Sequence, residues 1–187
     1  MMKTILCLMA VGVAVAAGAR DRGSYVAFPF AVSCDEAYVL QTSAYCRARD
    51  VYGLQIAPVR NRADGTVFVQ LGGSNSAFEC LGLQVGIHND CDGPLTGVQL
   101  GVHNQVGLVQ GLQMGVANRA LGATGFQIGI INVAEWVDGF QIGLLNATAQ
   151  QGGWGPHTRF LLRVGLFNVA YYKSGDPTCW PLMTLEW

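Results

Sequence analysis

His88 and His103 hold the same place in consecutive copies of a repeated phrase, with Asp90 and Asp92 close behind the first. Imidazoles and carboxylates so arranged are material for a divalent-metal site or a pH-sensitive pair. The same place holds Ser74, Ala117, Ile131, Leu145 and Phe167 in other copies, so the plainer reading is two exposed polar residues at a variable position. Cysteine offers a second chemistry. Short separations suggest Cys34–Cys46 and Cys80–Cys91 disulfides in an oxidising compartment, with Cys179 left over. No C-x-x-C and no matched histidine spacing supports zinc. The third candidate is an array of primary amides at Gln55, Gln70, Gln84, Gln99, Gln113, Gln127 and Gln141. It reads either as a ligand-facing array or as an internal ladder that holds register. No Ser/His/Asp or Cys/His set can be assembled, and Gly-x-Gly here does not precede a helix. The expectation is a protein that is not an enzyme and carries no catalytic, cofactor or metal residue.

The elements that must position these residues follow from the phrase itself, Gly-apolar-Gln-apolar-Gly-apolar-x-Asn. Clean copies begin at Gly82, Gly97, Gly111, Gly125 and Gly139. Weaker ones begin at Gly53, where Pro58 adds a residue, at Phe68, and at Leu161, where Arg163 stands in the Gln place. Start-to-start spacings are 15, 14, 15, 14, 14, 14 and 22, the last containing an insertion from Gln150 to Arg159. The eighth place gives a second amide series, Asn75, Asn89, Asn104, Asn118, Asn132, Asn146 and Asn168. Self-similarity at a short fixed period is the mark of a stacked, quasi-one-dimensional fold.

Alternation of apolar residues at the second, fourth and sixth places, with β-branched types, indicates strands; glycines at the first and fifth places disfavour helix. The fold class expected is all-β, a parallel β-solenoid of about eight coils of 14–15 residues with capping segments at both ends. The alternative is a small antiparallel β-barrel. Because each single unit keeps the same residue order, parallel stacking puts Gln over Gln and Asn over Asn, where amides can hydrogen-bond along the ladder. In that arrangement the second, fourth and sixth places are expected inside as the dry core. Fifth-place glycines would allow a bend or close backbone approach. Eighth-place asparagines would turn the chain. Val106, Ala120, Ala134 and Ala170, two places beyond Asn, would fill the opposite wall. Ile131, Leu145 and Phe167 would leave an apolar strip at the seventh place, open or covered by the insertion.

Residues 1–19 read as a secretory signal peptide, with Lys3, an apolar run, and Ala17-Gly18-Ala19 as cleavage site. Residues 20–52 then form an amino-terminal cap, 53–168 the repeat domain, and 169–187 a carboxy-terminal cap rich in aromatics and proline. Charged residues make up 12% of the 187 and net charge is −1, so nothing attracts a nucleic acid; 51% apolar content argues against disorder.

The phrases GFQIGIINVA and GFQIGLLNAT resemble the surface-repeat proteins of spirochaetes and other bacteria, built from tandem G-[LVF]-Q-[IL]-G-[LI]-x-N units. The resemblance covers roughly residues 53–170. It implies an exported protein at the cell surface, outer membrane or periplasm, and it transfers no catalytic residue. The function expected is a structural or adhesive module for an unidentified surface or host ligand, with outer-membrane association and end-to-end or lateral self-association as further expectations. A small outer-membrane barrel is the rival, supported by the alternation of Met183, Leu185 and Trp187 at the carboxy terminus.

Overall fold

The computed structural model describes residues 22–26, 31–150, 161–172 and 178–186. The expected signal peptide, residues 1–19, lies outside the described residues, as does the expected insertion from Gln150 to Arg159 apart from Gln150 itself. The described chain is extended throughout, with strands β1 (Arg22–Val26), β2 (Ala31–Thr42), β3 (Tyr45–Ala63), β4 (Thr66–Ala77), β5 (Glu79–Ile142), β6 (Leu145–Gln150), β7 (Leu161–Tyr172) and β8 (Thr178–Glu186). Strand β5 alone runs 64 residues and winds through several coils.

Every pairing from β1 through β7 is parallel, and each coil lies on the next with matching places in contact: Gln55 opposite Gln70, Asn61 opposite Asn75, Gly72 opposite Gly86. The protein is a parallel β-solenoid of about eight turns, and the antiparallel barrel is excluded. The stack begins earlier than the repeat phrase does. Residues 31–42 pair in parallel with 45–56, putting Gln41 opposite Gln55, so the described part of the 20–52 segment adds coils and does not act as a separate cap. At the other end β8 turns back antiparallel on β7 and fills its hydrogen-bonding edge, from Leu161 opposite Glu186 to Ala170 opposite Thr178. An unpaired strand edge is a template for further chains. Here the last coil's edge is occupied.

The core corrects the expected phase. Period-2 alternation is present, but the side turned inward is the Gln and Gly side. Glutamines at the third place and asparagines at the eighth are fully buried, whereas sixth-place Ile87 is 67% exposed and Leu144 is 51% exposed. The apolar part of the interior comes from elsewhere in the coil. Ala48, Ala63, Ala77, Cys91, Val106, Ala120 and Ala134 sit two places past the Asn position; Val51, Val67, Cys80, Leu95, Val109, Ala123 and Val137 precede the next phrase. A coil this short encloses a thin cross-section. Small side chains and two amides fill it, and three large aliphatic chains from one strand would not fit beside them.

Glycine makes this interior possible. A β-carbon on Gly129 would lie 2.5 Å from the Gly115 carbonyl oxygen and 2.6 Å from Asn118 Nδ2. The fifth place therefore points inward, into space that the asparagine of the preceding coil occupies. First-place Gly97, Gly111, Gly125 and Gly139 have φ between +136° and +150°, and a β-carbon on each would press on the first-place glycine below. Only glycine takes that backbone without strain. None of the eighth-place asparagines takes the left-handed backbone expected of a turn residue: among the described residues Leu182 alone combines a side chain with positive φ.

Candidate interaction face

Two amide ladders run through the core in opposite directions. In the first, Gln55 Nε2 donates to Gln41 Oε1 at 2.5 Å, Gln70 to Gln55 at 2.8 Å, and so on to Gln141, which donates to Gln127 at 2.8 Å. Each donation points toward the amino terminus. The second proton of several amides goes to a backbone carbonyl six or seven residues on, as Gln70 to Ser76 and Gln113 to Arg119. In the second ladder Asn61 Nδ2 donates to Asn75 Oδ1 at 2.8 Å, and each asparagine continues toward the carboxy terminus as far as Asn168. Its other proton goes to the fourth-place carbonyl of the next coil: Leu71, Val85, Leu100, Met114, Ile128 and Ile142.

The opposed polarity leaves one unmatched acceptor at each end. Asn61 Oδ1 and Gln141 Oε1 are the ladder oxygens without a donor among the described residues. Below Asn61 the preceding coil carries Cys46; above Gln141 stands Arg163, whose Nη1 donates to the Val169 carbonyl at 2.9 Å and so replaces the glutamine's second bond. Satisfied amides in a dry interior are rungs, and a buried Gln cannot meet a ligand. Gln41 and Asn61 belong to the ladders although neither stands in a clean phrase. Gln41 precedes Gln55 by the repeat spacing of 14, the one signal that finds it.

The outside of the same strands is the candidate site. From Leu54 to Leu166, the second, fourth and sixth places carry no charged or hydrogen-bonding side chain. They turn outward as stacked apolar ladders. Val102, Val116, Ile130, Leu144 and Leu166 form the sixth-place ladder, all between 44% and 51% exposed. Phe126 and Phe140 stack with ring centroids 4.8 Å apart and planes within 5°. Between the fourth- and sixth-place ladders runs a groove of about 630 Å³. Met114, Ile128, Ile142 and Val164 form one wall and Ile130 and Leu144 the other; the fifth-place glycines lie at its floor, and Leu182 of β8 borders it.

Charge is kept to other sides. Arg47 and Arg62 both bond Asp64, at 2.8 Å, and hold its carboxyl below the usual carboxylate range; Arg49 reaches Glu36 and Asp50. The seventh-place strip is open at Ile131 and Phe167, and its expected cover, the insertion, lies outside the described residues.

The histidine and cysteine readings resolve differently. His88 and His103 stack on the outside, centroids 4.9 Å apart and planes within 4°. Asp90 beside them is pushed up by burial first and by Asp92 second, with the two imidazoles opposing. Among the described residues no group of three or more His, Cys, Asp and Glu side chains is arranged to hold a metal ion. The cysteines correct the disulfide expectation, since Cys46, Cys80, Cys91 and Cys179 are thiols; the Cys34 side chain lies outside the described residues. Cys80 and Cys91 are core residues of neighbouring coils at different places, and Cys91 Sγ turns to the carbonyls of Phe78 and Pro94, each at 3.4 Å. Burial pushes the Cys80 thiol up to about 11 and the Cys91 thiol to about 12.

Comparison with protein-family models, with curated proteins and with solved structures gives no match for this chain.

Proposed function

We propose that the chain is an exported, non-enzymatic repeat protein that serves as a structural and adhesive module at the bacterial cell surface, with its outward apolar ladders as the contact face. The observation that carries this reading is the absence of any polar side chain at three outward places along the whole repeat. Soluble monomers rarely leave contiguous apolar surface of more than a few hundred Å² uncovered, and such surface marks contact with protein or membrane. The repeated coil suits a structural part: each coil stacks on its neighbours alone, so length and surface grow together. The leader-like residues 1–19 and the likeness of the phrases to bacterial surface repeats support export.

Protease treatment of intact cells, followed by mass spectrometry of the protein, tests the location. The expected result is a mature chain beginning at Arg20 that external protease degrades while a cytoplasmic marker survives. A full-length chain recovered with the cytoplasmic fraction would contradict the reading.

A further inference from the structure

We infer that the occupant of the apolar face is a second copy of this chain, packed side by side so that the outward ladders of the two solenoids interdigitate. This rests on the reading of that face as a contact surface and names its partner. Three observations favour a copy. The first is periodicity. The ladders repeat at the interstrand spacing of roughly 4.8 Å, and a second copy is certain to carry the same period, so ridges and grooves stay in step along the whole length. The groove between the fourth- and sixth-place ladders is the kind of recess that receives a facing ladder in a dry zipper.

The second is charge. Because no charged residue stands on the face between Leu54 and Leu166, two copies meet without like-charge repulsion. A bilayer is the competing occupant, and anionic lipid is drawn by Lys and Arg around an apolar surface. Here net charge is −1, and Arg47 and Arg62, of the early coils, are engaged with Asp64.

The third is area. Eight coils extend roughly 38 Å, and places two through six span roughly 13 Å. The projected face is therefore on the order of 500 Å² per copy, and side-chain relief adds to it. Two copies together bury about 1,000 Å² or more, which reaches the lower bound of specific interfaces.

Sedimentation velocity on the purified protein tests the inference, with Ile130→Lys and Leu144→Lys as face variants and Leu121→Lys, an equally exposed apolar position off the face, as control. Circular dichroism reports whether each variant keeps the β fold. The expected result is a dimer for the parent and for Leu121→Lys, with association weakened at least about tenfold by either face variant. A monomeric parent, or a dimer broken by Leu121→Lys and untouched by the face variants, would overturn it. Flotation with vesicles of phosphatidylethanolamine and phosphatidylglycerol separates the two readings. A monomeric parent that floats, with Ile130→Lys left behind, overturns self-association and keeps the face as a contact surface. A monomeric parent that does not float counts against both.

Discussion

Gln113 is a rung: its Nε2 donates to Gln99 Oε1 at 3.0 Å, and its Oε1 accepts from Gln127 at 2.8 Å. Gln113→Leu keeps the volume and removes both bonds together with the third, from Nε2 to the Arg119 carbonyl. It leaves the Gln127 donor and the Gln99 acceptor of the ladder unmatched in a dry core, at about 1–3 kcal/mol for each orphaned group. Chemical denaturation should show that loss. The matching control is Ile130→Ser. Were Ile130 a core residue, truncation would cost about 2–5 kcal/mol; on the outside of the coil it should change stability by less than about 1 kcal/mol at concentrations low enough to keep the chain monomeric. Gly129→Ala tests the packing that joins the two faces. Its β-carbon meets backbone and amide together, and about 3 kcal/mol or more should be lost. The buried thiols give a pH dependence. Above about pH 9 an unfolded chain releases the Cys80 and Cys91 protons, while the folded chain holds them to about 11 and 12. Stability is then fully present below pH 9 and falls as pH rises through that window. The melting temperature of the parent should fall more steeply there than that of the Cys80→Ser, Cys91→Ser variant.

At the scale of strands, the repeat was legible and its phase was not. A spacing of 14 or 15 with unchanged residue order in each unit specifies parallel stacking, since antiparallel neighbours would set Gln and Asn at alternating heights. Alternation with period two reads identically from either side of a strand. The usual assumption puts the aliphatic side in. What decides otherwise is a relation across the coil, the missing β-carbon at Gly129 making room for Asn118, and no local window of sequence contains it. The extra coils before Gly53 lack the glycines that define the phrase, which hides Gln41 despite its spacing. Strand β8 has no repeat signal; its role comes from pairing with β7, and Pro181, unable to donate, interrupts the regularity of that outer strand. Removing residues 173–187 should expose the β7 edge and give open-ended association, seen as light scattering that keeps rising with concentration where that of the full chain levels off at the dimer.

At the scale of the whole molecule, stability and surface are assigned to different residue classes. Amides and small side chains make the axis, and the large aliphatic and aromatic side chains of the phrase are left for contact. A mean hydropathy of +0.31 thus goes with an interior in which 16 of the described buried residues are Gln or Asn. The central claim is that the repeated amides are interior rungs and the repeated aliphatic residues face outward. Side-chain amide exchange in deuterated water, followed residue by residue by NMR, measures this directly. Each rung donates at least one proton to a neighbouring rung and is fully buried, so the amides of Gln70 through Gln127 and Asn75 through Asn132 should persist for hours, far longer than exposed Gln110. Loss of the ladder amides as fast as Gln110, with the fold intact, would contradict the account.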